Sequence, residues 1–502
     1  MEHQAASDAT REVVLAGRPL ALDDLADLAH GRARAVVDRG VLLRLGELHE
    51  AMGAAREHGS VYGATTGVGA NRHVHVEEEQ DEHPQAHGLR LLRSHAASLG
   101  PVEDDPTTRA ALVIRLNQLL AGVPAGTGAG ISPGLLSALG AAVEGGVLAT
   151  LHRFGGIGTS DLAALAELGL TLVGERPWRC GHVAPAVLDV ADALPLISSN
   201  AVTLATASLA LVQMRDVLRS SLAVGALSFL ALRGNREAWA DSVHAARAHP
   251  AQREVAAVLD ALVTGGPQPA RLQDPFGLRT LPQVLAPAFA AVRALEDALV
   301  LEASSPGENP LVSADDVLGG RALHHGQFHA ATLATALDTV RATTFGVLTL
   351  SAARLALLLR PEHTGLRAFL AAGPRGSSGL MIGEYVVQDA LAELRPGTSP
   401  STAGTVSISL GLEEHASFAT QGARALRLSA ELAPLVLSIE ALAAVRALRA
   451  APERLAEPAA AVFAQFDAVL GRDARDQPIG PDVEAVAGRF AAVARLVTVS
   501  GY

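Results

Sequence analysis

A mainly α-helical fold, in which a loop-rich N-terminal region precedes a bundle of long helices, is predicted by three observations. Aromatic residues are only 3% of this 502-residue chain while hydrophobic residues reach 49%. The apolar positions are mostly Ala, Leu and Val recurring at helical spacing, as in His329 to Leu337 and Ala352 to Leu359, the pattern of helices that bury one face. The texture also changes near residue 190, from short segments punctuated by Gly and Pro to long uninterrupted amphipathic ones.

Taken in order, residues 1–190 read as short helices separated by loops around Tyr62, Gly126 and Gly156, a texture suited to building a site. From 191 to 502, the patterns Ala201 to Leu232, Leu281 to Ala303, His329 to Leu359, Ser377 to Leu394 and Thr405 to Ala450 predict helices longer than the globular average, in a central and C-terminal bundle. The Pro-rich breaks Pro267-Gln268-Pro269 and Pro396 to Pro400 read as loops inside the fold rather than linkers. There is no fixed-period repeat.

Composition narrows the function. A net charge of −12 repels a phosphate backbone, and no Lys/Arg block or zinc-finger spacing offsets it, so no nucleic-acid partner is expected. The single cysteine, Cys180, rules out an internal disulfide and reads as a partly buried loop thiol in a reducing compartment, the cytoplasm. Met1-Glu2-His3-Gln4 lacks a basic stretch followed by an apolar run. Apolar segments such as Phe345 to Leu359, broken by Arg354, fall short of a bilayer span, so no membrane partner is expected.

Several segments carry chemistry. In Val61-Tyr62-Gly63-Ala64-Thr65-Thr66-Gly67-Val68-Gly69, the glycines at 59 and 63 allow a backbone that brings a phenol close to a ligand. Gly155-Gly156-Ile157-Gly158-Thr159-Ser160-Asp161-Leu162 is a glycine-rich turn ahead of a helix. Further along come Leu91-Leu92-Arg93-Ser94-His95-Ala96-Ala97, Arg115-Leu116-Asn117-Gln118-Leu119 and Leu194 to Asn200. Then follow Gln273-Asp274-Pro275-Phe276-Gly277-Leu278-Arg279, Asn309-Pro310-Leu311-Val312, Gly326-Gln327-Phe328-His329 and Glu413-Glu414-His415-Ala416-Ser417.

In this order, these segments resemble the histidine and phenylalanine ammonia-lyase family from Tyr62 to Ser417. The resemblance implies an ammonia-lyase-like fold assembling as a homotetramer whose active sites draw on several subunits. It makes Tyr62 a general base and Arg279 a planar fork for the substrate carboxylate. His95 and Glu413 would face a polar or basic substrate side chain. Ser198, Gln273, Phe276, Asn309 and Phe328 complete the implied substrate site, with Arg115 and Asn117 architectural.

In that family an Ala-Ser-Gly triad cyclises into a methylidene-imidazolone electrophile. Here the match is one residue short: from the downstream Asp161-Leu162 the triad reads Gly158-Thr159-Ser160, and from the upstream glycines Thr159-Ser160-Asp161. Neither register ends in Gly. Ring closure requires the third residue's nitrogen to attack the first residue's carbonyl through a fold that Gly reaches most cheaply. The middle residue must also lose water, which Ser160 could supply and Thr159 only with a hindering methyl. Ser198 stands where the family has an asparagine, unless Asn200 shifts in, and Phe276 replaces a tyrosine. All three departures surround the electrophile while Tyr62 and Arg279 are kept.

The expectation is therefore an enzyme of the lyase type with no cofactor and no mature electrophile, acting on an amino acid or related carboxylate by elimination, addition, isomerisation or cyclisation. Two alternatives stay open: a conventional histidine-like ammonia-lyase or aminomutase that matures Thr159 or Ser160, and a non-catalytic paralogue that binds a ligand or an active subunit. A metal site is not expected. His73, His75, His83 and His87 among Glu77, Glu78 and Glu79, and His324-His325 with His329, match no recognised ligand spacing. A phosphate loop and a serine-hydrolase elbow are also missing.

Overall fold

The computed structural model describes residues 11–76, 86–314, 320–473 and 475–499, so His83 and Glu77 to Glu79 lie outside the described residues. The chain divides into two compact units, one of residues 1–209, 296–335 and 400–424, the other of 210–295, 336–399 and 425–502. The sequence boundary at 190 lies within the first unit.

The first unit opens with parallel strands β1 (Arg11–Leu15) and β2 (Ala33–Val37), paired from Arg11/Ala33 to Leu15/Val37 and joined through α1 (Leu22–Ala29). Helix α2 (Arg39–His58) starts on Asp38, whose carboxylate accepts from the Gly40 and Val41 amides at 2.8 and 3.2 Å. After α3 (Ala86–His95) comes α4 (Asp105–Ala125), ended by Gly126 in the left-handed conformation and started by Asp104, which accepts from the Thr107 amide at 2.8 Å. Removing such a cap costs about 1 kcal/mol. Asp104→Ala is expected to lower unfolding stability by that amount in chemical denaturation, with no change in helical content.

Helix α4 is buried on all sides over much of its length, which explains its weak amphipathic pattern. Inside it, Arg115 donates to the Leu196 and Pro195 carbonyls at 2.9 and 2.6 Å and to Glu308 at 2.6 Å, with both ionic partners essentially fully buried. Asn117 accepts from the Gly17 amide and donates to the Ala303 carbonyl. Their role is thus architectural. Helices α5 (Pro133–Glu144), α6 (Leu162–Leu172) and α7 (Ala193–Ile197) follow. Two small antiparallel pairs, β3 (Leu99–Val102) with β5 (His152–Phe154) and β4 (Thr127–Gly128) with β6 (Val312–Ser313), complete the unit's strands.

The long helix α8 (Ala201–Ala231) leads into the second unit, where α9 (Asp241–Ala246), α10 (Pro250–Leu262), α11 (Phe276–Arg279), α12 (Leu281–Glu302), α13 (Ala331–Leu358), α14 (Pro361–Thr364), α15 (Met381–Leu394) and α16 (Ala419–Arg449) lie wholly or in part. Its core holds a fully buried ion pair. Arg354 donates to Glu440 at 2.6 and 2.8 Å, and Ser228 and Ser351 fill the remaining carboxylate positions at 2.6 and 2.5 Å. This arrangement satisfies the charge that interrupts the apolar run Phe345 to Leu359.

Three sequence expectations need correction. The run Thr405 to Ala450 is helical only from Ala419, because Ser409, Leu410, Gly411 and Phe418 all take positive φ angles that an α-helix excludes. Cys180 is exposed, not partly buried. Two helical stretches, Ala193–Ala231 and Ala419–Arg449, are long and apolar enough to cross a membrane, contrary to the reading that the apolar segments fall short. Their most apolar windows are 89% and 78% buried within the protein, which makes them core helices.

Candidate active site

A cavity of about 590 Å³ in the first unit gathers Tyr62, Thr159, Ser160, Ser198, Asn309, Phe328 and Glu413 on its walls. Seven of the eleven residues picked out from sequence meet there.

The Tyr62 loop is held from below by Val61 and Ala64, which pack with Met52, Ala55, Ala191 and Val312. Gly63 sits at φ +74°, and a Cβ there would come within 2.3 Å of Leu194, so this position needs glycine twice over. Gly59, by contrast, is extended at φ 175° and needs no glycine. The loop turns the phenol back on itself: the Gly69 amide donates to the Tyr62 hydroxyl at 2.7 Å, while the Tyr62 amide donates to His324 Nε2 at 3.1 Å. Burial raises the Tyr62 pKa above its ordinary 10.0 and nearby Glu413 adds to this, whereas the Gly69 hydrogen bond and Arg72 pull it down. The resting group is a neutral phenol with a built-in stabiliser for its anion.

The triad segment lies between β5 and α6. Ser160 is buried, holds φ +90°, and its Oγ has no hydrogen-bond partner. Its amide donates to Asn200 Oδ1 at 3.0 Å, and Asn200 Nδ2 donates to the Phe328 carbonyl at 2.7 Å. Asn200, two positions beyond Ser198, is thus the side chain that reaches the triad backbone. The first-residue carbonyl of the downstream register, that of Gly158, accepts from Ser417 Oγ at 2.7 Å and the Ala330 amide at 3.2 Å. The attacking nitrogen of the upstream register, that of Asp161, donates to the Ser199 carbonyl at 2.6 Å. Its carboxylate is fixed by the Thr203 amide and hydroxyl, each at 2.8 Å.

Two loops complete the wall. Asn309 Oδ1 accepts from the His325 amide at 2.9 Å, which orders the His324-His325 turn. His329 and His415 stack with centroids 5.0 Å apart and share a 2.9 Å hydrogen bond, tying the Phe328 segment to the Glu413 segment. Sequence reasoning missed Arg72, Leu412 and this histidine clasp. The paired His-bearing motifs were visible, but nothing in the spacing linked them. Among the described residues no group of three or more His, Cys, Asp or Glu is placed to hold a metal.

The other four picked residues lie elsewhere. His95 ends α3, with Nδ1 at 2.9 Å from the Leu91 carbonyl, and does not line the cavity. Gln273, Phe276 and Arg279 belong to the second unit. There the Arg279 guanidinium stacks 4.4 Å from the Phe276 ring centre, its Nε is buried without a partner, and Phe276 is 64% exposed.

The family model for aromatic amino acid lyase matches residues 20–468. Histidine ammonia-lyase from Symbiobacterium thermophilum is 31% identical over 500 residues, spanning 95% of this chain and 96% of its own, and that from Geobacillus kaustophilus is 29% identical over 497, spanning 95% and 96%. Among solved structures, histidine ammonia-lyase from Trypanosoma cruzi has a TM-score of 0.87 at 25% identity, covering 97% of this chain and 95% of that one. Ergothionase from Treponema denticola, an ergothioneine-degrading enzyme, has the same fold, with a TM-score of 0.85 at 23% identity over 97% and 100% of the two chains. On a family match that runs from residue 20 to residue 468, the chain belongs to the aromatic amino acid lyases and is an enzyme of the ammonia-lyase family.

Proposed function

We propose that this enzyme works without the imidazolone electrophile, using Tyr62 as base on an amino acid or related carboxylate. The observation that carries this reading is Ser160 itself. Its φ of +90° is a backbone state that glycine adopts freely and that costs a side-chain-bearing residue about 1–3 kcal/mol. This supports the register Gly158-Thr159-Ser160, with Ser160 in the glycine's place and Thr159 as the residue that would have to dehydrate. In that register the Ser160 side chain crowds the attacking nitrogen. In the other, the nitrogen and the side chain of Asp161 are both committed to hydrogen bonds. The residues present do not fit the group.

The chemistry left to Tyr62 is proton abstraction. As phenolate it takes the proton on the substrate's β-carbon. The C–H electron pair becomes the Cα=Cβ double bond, and the substituent on the α-carbon leaves with its bonding pair. A neutral primary amine is a poor leaving group and needs an electrophile, whereas a quaternary ammonium leaves as a neutral amine and does not. Preferred substrates are therefore carboxylates whose α-nitrogen is already alkylated, with a polar side chain facing Glu413. Arg279, with its exposed neighbour Phe276, is supplied to the site from another copy of the chain in a homotetramer working in the cytoplasm.

Intact mass spectrometry of the purified protein tests the reading. The translated mass is expected unaltered, and a loss of two waters mapped to the peptide holding Thr159 and Ser160 would overturn it. In the same vein, Ser160→Ala should leave turnover largely intact, measured as ultraviolet absorbance of an unsaturated carboxylate. Loss of turnover in a folded Ser160→Ala protein would return the chemistry to that hydroxyl.

A further inference from the structure

A second cavity of about 210 Å³ in the same unit shares Ser198 and Phe328 with the first. Its lining includes two carboxylates, Glu302 and Glu308, and no Lys, Arg or His among the described residues. Glu308 spends one oxygen on Arg115 at 2.6 Å, but its other oxygen, Oε2, has no hydrogen-bond partner although the residue is only 1% exposed. Glu302 is the last residue of α12, where the helix's negative end adds to its charge, and burial alone pushes its carboxyl up from the ordinary range.

Several of the nearby donors are already used. Gln118 Nε2 donates to the Glu302 carbonyl at 2.9 Å, Ser199 Oγ to Gln118 Oε1 at 2.7 Å, and Asn200 Nδ2 to the Phe328 carbonyl at 2.7 Å. The chamber is therefore lined by two carboxylates, one of which keeps a buried oxygen without a partner that an N–H donor carrying positive charge would satisfy. A buried, unpartnered carboxylate oxygen is costly, and a bound group with N–H donors and positive charge satisfies it.

We propose that this chamber is a subsite for the amine set free by elimination, held as a small protonated alkylammonium ion. The inference rests on the elimination reading above. The departing amine leaves with the C–N electron pair, takes from the Tyr62 hydroxyl the proton that the phenolate removed from the β-carbon, and passes the Ser198–Phe328 wall into an acidic chamber away from the unsaturated product. Anionic carboxylates are refused there by Glu302, which separates the two products.

Calorimetric titration of the purified protein with methylammonium and trimethylammonium chloride, against sodium and tetramethylammonium chloride at matched ionic strength, tests it. Saturable binding is expected for the two ions that carry N–H, at least tenfold weaker in Glu302→Gln and unchanged in Tyr62→Phe. No saturable binding, equal binding by Glu302→Gln, or equal binding of sodium or tetramethylammonium overturns the subsite. Should Glu302→Gln not fold, Ser305→Leu, which fills the chamber without touching a carboxylate, must abolish binding, and retained binding overturns it instead. The two readings fail separately. Amine binding with full turnover in Tyr62→Phe sinks Tyr62 as the base and leaves an amine site, whereas lost turnover without amine binding sinks only the chamber.

Discussion

Tyr62→Phe is expected to slow turnover by about a hundredfold or more, the usual loss when a general base is removed, while the protein stays folded and still binds substrate. The variant removes one hydroxyl, and with it the hydrogen bond from the Gly69 amide, from a loop that Val61, Ala64 and Gly63 still anchor. The pH profile separates this role from packing. A base must be deprotonated to act, and burial with Glu413 holds the Tyr62 phenol above 10.0, so only a minor fraction is phenolate at neutral pH. Rate should therefore rise with pH through neutrality and level only above pH 10. Glu413→Gln removes a neighbouring negative charge and should move the rising limb to lower pH. Full turnover in Tyr62→Phe, measured as a single-turnover rate, would show that the tyrosine only packs.

Much of this arrangement was legible in the sequence, and the failures have physical causes. Helices α8, α12 and α13 fall within two residues of their apolar patterns, because long runs rich in Ala, Leu and Val mark a helix packed into a core, even in α8 where nearly every position is buried. The stretch before Ala419 misled for the opposite reason. Leu410, Leu412 and Phe418 continue the apolar spacing, but positive φ angles at 409–411 and 418 turn the chain into the loop that presents Glu413. Local composition cannot register such a backbone reversal. The strands escaped notice because none among the described residues exceeds five residues. At the site, ordered motifs identified Tyr62, Asn309, Phe328 and Glu413, each on a loop fixed by glycine, proline or a short polar bridge. Asn200 was legible only as an alternative to Ser198, since the choice depends on which side chain the turn after α7 directs at the Ser160 amide. Arg72 carries no spacing signal, and the His329–His415 clasp joins residues 86 positions apart in the chain.

Arg279→Ala is expected to weaken substrate binding by about 1.5–3 kcal/mol, the worth of a hydrogen bond to a charged group, or about tenfold to 150-fold in affinity. The proton-transfer step at saturation should change far less. The side chain is prepared for such a task. Its guanidinium stacks on Phe276, which fixes the plane of the fork, and Nε is buried with no partner of its own. A guanidinium that has already lost water from one nitrogen gains more from a carboxylate than a solvated one does. Arg279→Lys should recover little, because a point charge cannot restore either the stack or the two parallel hydrogen bonds. Phe276 at 64% exposure, in contact with the fork, and Leu272 at 88% earlier in the same segment expose apolar surface, as a segment that meets a partner chain would. On the proposed homotetramer, dilution below its dissociation constant should mimic Arg279→Ala, raising KM before it lowers the saturated rate. An Arg279→Ala enzyme with unchanged KM, whose KM also stays constant on dilution into monomers, would remove Arg279 from the site and leave Arg72 as the cation on the cavity wall to receive the carboxylate.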